Sequence, residues 1–156
     1  MKVDKTKVLE MVDADCKEGL TVLVKKGSRA CCPDAVYERA NPHHAVHLGI
    51  SLETDIIIYG MIKAHSMRFD RIPNDQFDRW FPVSLGDFEL VTQDWTRRSG
   101  YVGDQFDYHL GVLKNQDYLR IALLNGEISL VWTPKLVLGI LKAVGIGIDM
   151  NCVTTN

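Results

Sequence analysis

Five residues that can bind metal or attack a carbonyl fall in one short stretch: Cys31, Cys32, His43, His44 and His47. On a helix, His43 and His47 would stand one turn apart and could share a zinc ion. Pro42 and the strand-like run Val46-His47-Leu48-Gly49-Ile50 oppose that. In a strand, residues four apart sit about 13 Å apart at ~3.3 Å per residue, too far for one ion. Adjacent cysteines also lack the C-x-x-C spacing of a zinc knuckle. No metal and no cofactor is expected.

Cys31 or Cys32 could instead act as a nucleophile. Both precede Pro33, a candidate helix start whose dipole favours a thiolate. His43, His44, His65 or His109 could serve as the base. No local family signature surrounds either cysteine, so buried inert thiols are the simpler reading. A third set is Asp104, Asp107 and His109, read as a loop leading into a strand. Asp107 and His109 would then share a strand face as an acid–base pair. A solvated acidic loop explains the same residues. The chain contains no G-x-S-x-G, Walker A, G-x-G-x-x-G or H-E-x-x-H motif. Gly145-Ile146-Gly147-Ile148 follows a helix, so it cannot cradle a phosphate at a helix start.

The fourth set points to recognition. Asp70, Arg71, Asp75, Asp78, Arg79 and Trp80 cluster in one segment, and Trp95, Arg97, Arg98 and Tyr101 in another. Trp, Tyr and Arg dominate interface hot spots, and loops carry a large share of binding residues. Trp95 beside Arg97-Arg98 could also stack on a nucleotide. Trp80 reads better as a core residue of an amphipathic short helix, whereas Trp95 fits a core and a binding role equally.

The elements that must position these groups follow from hydrophobic spacing and capping residues along the chain. Residues 4–17 have the spacing of an amphipathic helix, with Asp4 as N-cap and Gly19 as a stop. Residues 20–26 read as a strand. Pro33 opens a short helix through Arg39, which Asn41-Pro42 ends. Residues 44–52 and 55–63 read as two strands joined by Glu53-Thr54. Residues 73–81 read as a short helix capped by Asn74. Residues 82–93 hold one or two strands around Gly86-Asp87, and 94–106 form a long loop.

The clearest signal is Asn125-Gly126 between two apolar runs, a hairpin with a type I′ turn. It pairs Leu124 with Glu127 and Leu119 with Trp132. Leu119, Ile121, Leu123, Ile128, Leu130 and Trp132 then line one apolar face. A helix over 133–144 follows, with Thr133 as N-cap, Pro134 at its first position and Gly145 at its end. The fold expected is a single α+β domain over residues 1–156. Its mainly antiparallel sheet of about five to seven strands carries the N-terminal, C-terminal and short helices.

Composition narrows the function. The chain has 156 residues, 46% hydrophobic and 24% charged, as in globular proteins. A net charge of −2 gives no broad basic footprint for nucleic acid. No apolar run reaches the roughly 18 residues of a membrane span. The charged start leads into no secretory apolar region, so a cytoplasmic protein with reduced thiols is expected. Residues 66–108 carry five basic and eight acidic side chains, which would steer the chain towards a basic partner.

The resulting expectation is a non-enzymatic protein-binding module, in its specific form an inhibitor or immunity-type protein that blocks a partner enzyme. Its binding residues would be Trp95, Arg97, Arg98, Tyr101, Asp75, Asp78 and Arg79. The first alternative is a small hydrolase or transferase using Cys31, Cys32, Asp107 or His109. The second is a small-ligand or nucleotide binder built on Trp95. If the apolar 55–62 run were an edge strand, a second copy of the chain could complete it.

Overall fold

The computed structural model describes residues 3–13, 16, 21–25, 48, 51–67, 76–93, 105–145 and 152–155. These form five helices and six strands. The helices are α1 (Lys5–Glu10), α2 (Leu52–Ser66), α3 (Leu85–Thr92), α4 (Phe106–Asn115) and α5 (Pro134–Ala143). The strands are β1 (Val22–Lys25), β2 (Phe77–Trp80), β3 (Val83–Ser84), β4 (Leu119–Leu124), β5 (Glu127–Trp132) and β6 (Val153–Thr155). The expected α+β class holds. The single sheet of five to seven strands does not. The described strands form two antiparallel sheets of three, ordered β2-β1-β6 and β3-β5-β4.

The hairpin β4–β5 has the register its sequence dictates, from Leu124 opposite Glu127 to Leu119 opposite Trp132. Asn125 and Gly126 both take positive φ, 50° and 80°, as a type I′ turn requires. The expected apolar face is buried at Leu119, Ile121, Leu130 and Trp132, but Leu123 beside the turn is half exposed. The opposite face is covered as well, because Ala122 and Val131 pack with Cys16 and Leu124. Thr133 then caps α5. Its hydroxyl accepts from the Leu136 N–H (3.2 Å) and lies within bonding distance of the Asp117 and Tyr118 carbonyls. Gly145 takes a φ of 79°, which ends the helix as a left-handed glycine does. Leu136, Val137, Ile140 and Leu141 are buried.

The run 55–63 is the main correction. It is not a strand but the body of α2, capped by Ser51, whose hydroxyl accepts from the Thr54 N–H. Asp55 in its first turn accepts from the Leu48 N–H at 3.1 Å. Thr54, Ile57, Ile58, Tyr59, Met61, Ile62, Ala64 and His65 are all buried. A helix buried on nearly every side has no polar face, so it shows no 3.6-residue alternation. Its isoleucines then look like a strand by propensity alone. The 55–62 run therefore offers no strand edge to a second copy.

Three further elements differ. Residues 77–80 form β2, not a helix, and Trp80 faces the core from a strand. Residues 85–92 form α3 after the two-residue β3. Ser84 caps α3 by accepting from the Asp87 N–H, one half of a capping box. Residues 106–115 form α4, so Asp107 and His109 lie on a helix. The N-terminal helix keeps its Asp4 cap but ends at Glu10. The expected helix at 33–39 and the strand positions 44–47 lie outside the described residues.

Buried α2 packs against α3, α4 and β3. At Gly60, an added Cβ would stand 2.6 Å from Phe88 Cε2 and 2.9 Å from Thr92 Cγ2. Only glycine lets α2 and α3 approach this closely. The two sheets meet at Phe81-Pro82, between β2 and β3. There the Phe81 N–H donates to His65 Nε2 (2.9 Å), and Trp132 Nε1 donates to the Phe81 carbonyl (2.6 Å). Trp132 meets Trp80 edge-on, with centroids 5.1 Å apart. The backbone that passes from one sheet to the other is thus held by a helix side chain and a strand side chain.

Candidate functional site

Much of the sequence-derived site lies outside the described residues: Cys31, Cys32, His43, His44, His47, Asp75, Trp95, Arg97, Arg98, Tyr101 and Asp104. The others can be placed. Asp107 and His109 do not share a face. Residues two apart on a helix point to different sides, and each has its own neighbour. The Asp107 carboxylate sits 3.8 Å from Lys7 Nζ, and His109 lies edge-on to the Tyr108 ring at 5.2 Å. His65 is fully buried and stacks on Phe81 at 5.8 Å. Its Nε2 accepts a backbone N–H, so this nitrogen carries no proton of its own. It serves the sheet junction. Among the described residues, no group of three or more His, Cys, Asp and Glu could hold a metal.

Asp78 and Arg79 lie on β2, opposite Val24 and Leu23 of β1. The Arg79 Nε is buried and makes no hydrogen bond among the described residues. Trp80, next in the strand, belongs to the core.

The structure instead brings together a surface that residue spacing did not reveal. It is built from α1, α3 and α4. Val8 anchors α1 in the core. Lys5 reaches Glu89 of α3 (3.7 Å), and Lys7 reaches Asp107 of α4 (3.8 Å). Lys114 of α4 donates to the Met11 carbonyl at 2.7 Å, just beyond the end of α1. These contacts link the short helix to both longer ones.

Each of the three helices leaves one large apolar side chain in water. Leu9 is 50% exposed, Leu90 63% and Tyr108 65%. Leu9 stands one turn from Lys5 and so shares its side of α1. Leu90 is on the helix that carries Glu89, and Tyr108 on the helix that carries Asp107, so the two ion pairs link the three helices that bear these exposed residues. Single exposed leucines are ordinary, but apolar groups gathered among charges mark interaction surfaces. Glu10 and Asp87 are exposed on the same two helices, α1 and α3. A pointer in the sequence was Tyr108: on a strand it would alternate with its neighbours, whereas on α4 it turns away from buried Phe106 and Leu110.

The chain connects the end of α3 to the start of α4 through residues 94–104. That segment carries Trp95, Arg97, Arg98 and Tyr101. Among the described residues, no helix is long and apolar enough to cross a membrane. Comparison with protein-family models, with curated proteins and with solved structures finds no match for this chain.

Proposed function

We propose that this chain is a non-catalytic protein-binding module of the inhibitor or immunity type, and that it contacts its partner through the α1–α3–α4 layer. The observation that carries this reading is the exposure of Leu9, Leu90 and Tyr108 on three helices tied by the Lys5–Glu89 and Lys7–Asp107 pairs. Tyrosine set among charged residues is a composition that interfaces favour. The sequence between α3 and α4 carries Trp95, Arg97, Arg98 and Tyr101, residue types that interfaces favour. The acidic excess of residues 66–108 supports a basic partner surface. A blocking protein needs a complementary surface, not reacting groups, and this layer offers one.

The test is an affinity pull-down from native-host lysate with three forms of the protein. Wild type is compared with Tyr108→Ala and with the double variant Trp95→Ala/Arg98→Ala. A stoichiometric protein retained by wild type and lost with both variants is the expected result. A protein retained equally by all three would reject this surface. A wild-type lane without any stoichiometric protein would count against a binding module.

A further inference from the structure

We propose that the chain just after α1 is a strap that holds the β4 edge closed against a second copy of this protein. In the order β3-β5-β4, β4 is an edge among the described strands. Its run Leu119-Arg120-Ile121-Ala122-Leu123-Leu124 is mostly apolar, the kind of edge that recruits another strand. The two-residue turn makes Leu124–Glu127 a hydrogen-bonded pair, so the outward N–H and C=O groups belong to Leu119, Ile121 and Leu123.

Asp13 occupies the middle of that edge. Its N–H donates to the Ile121 carbonyl (2.7 Å), and its Oδ2 accepts from the Ile121 N–H (2.8 Å). In a hydrogen-bonded antiparallel pair, one residue exchanges both bonds with the residue opposite. Asp13 reproduces that exchange with its carboxylate standing in for a carbonyl. The imitation is held by Lys114, whose Nζ lies 3.5 Å from Asp13 Oδ1 and donates to the Met11 carbonyl. Beyond Asp13, the Cys16 N–H donates to the Asp13 carbonyl (3.1 Å), and Cys16 packs on Ala122 and Val131. One short piece of chain therefore caps the edge and covers the second face of the hairpin.

The occupant that fits the uncapped edge is β4 of a second copy. Centred on Ile121, two antiparallel β4 strands would satisfy each other's Ile121 N–H and C=O and would set Leu119 opposite Leu123. Such a contact uses the same patch on both copies, as a two-fold interface requires. It would join two three-stranded sheets into one of six strands.

The experiment measures mass by sedimentation and amide exchange at Ile121 by NMR, over a range of concentrations. Wild type should stay monomeric with a slowly exchanging Ile121 amide. Asp13→Ala should double in mass as concentration rises. Its Ile121 amide should exchange fast when dilute and slowly when concentrated. A monomeric Asp13→Ala at every concentration would overturn the proposal, as would a dimer whose Ile121 amide stays fast. If Asp13→Ala does not fold, Lys114→Met keeps the Asp13 bonds but loosens their anchor. It should show the same shifts at higher concentration, and a variant indistinguishable from wild type would overturn the proposal.

Discussion

The two sheets are assembled in opposite ways. Sheet β3-β5-β4 is centred on a hairpin whose strands are joined by two residues, and its outer edge is closed by Asp13. Sheet β2-β1-β6 gathers residues 22–25, 77–80 and 153–155 from across the chain. Local pairing closes a short loop, whereas distant pairing requires much more of the chain to be ordered first. The second sheet therefore depends on the packed core around α2 and on the Phe81 junction. The hairpin carries much of its instruction within itself. The difference teaches where this fold is vulnerable: in the contacts that bring distant segments together.

Variants can break or sharpen that contrast. The largest effect is expected from Trp80→Ala, which empties the buried end of β2 beside Trp132. A loss of about 3–5 kcal/mol in urea unfolding is expected. Amides of 22–25 and 77–80 should lose exchange protection before those of 119–132. Simultaneous loss in both sheets would remove the contrast. Gly60→Ala comes next, because the new methyl meets the Phe88 ring where α2 and α3 touch. A destabilisation of about 1–3 kcal/mol is expected, against the gain that alanine normally brings to a helix. An unchanged unfolding midpoint would show that the helices can separate freely.

His65→Phe keeps a ring in the junction but removes the acceptor of the Phe81 N–H. An unpaired buried N–H costs about 1–3 kcal/mol, so chemical denaturation should shift by that order. Thr133→Ala should have the smallest effect, about 1 kcal/mol, by removing the α5 cap. Thermal melts would read it, and a loss as large as that of Trp80→Ala would contradict the local character of this end.

The same physics decides what the sequence made legible. The hairpin register and the Thr133-Pro134 helix start depend on near neighbours, so spacing and turn chemistry were enough. Helix α2 was hidden because Ile56-Ile57-Ile58 suggests a strand, while burial on all sides removes the helical alternation. The Ser51 cap and Gly60 were its remaining signals. Helix α3 was likewise missed: Gly86-Asp87 suggests a turn between strands, and the Ser84 cap with Asp87 three residues on was its remaining signal. Of the candidate site, Asp107 and His109 were grouped by an assumed strand that is a helix. The α1–α3–α4 layer was invisible because its three exposed residues, Leu9, Leu90 and Tyr108, are far apart in sequence. Only side-chain contacts made from α1 and the residue after it link the helices that carry them.

The most direct test of the functional account compares two exposed leucines from the two regions. Leu90 lies on the helical layer, and Leu123 lies beside the hairpin turn, 63% and 50% exposed. Surface changes of this kind alter stability by roughly 0.5 kcal/mol or less, so both variants should fold. Leu90→Asp and Leu123→Asp are compared with wild type for retention of the captured protein, with stability measured in parallel. Loss of the partner with Leu90→Asp and full retention with Leu123→Asp is the expected result. Full retention by a folded Leu90→Asp would contradict the assignment of binding to the helical layer.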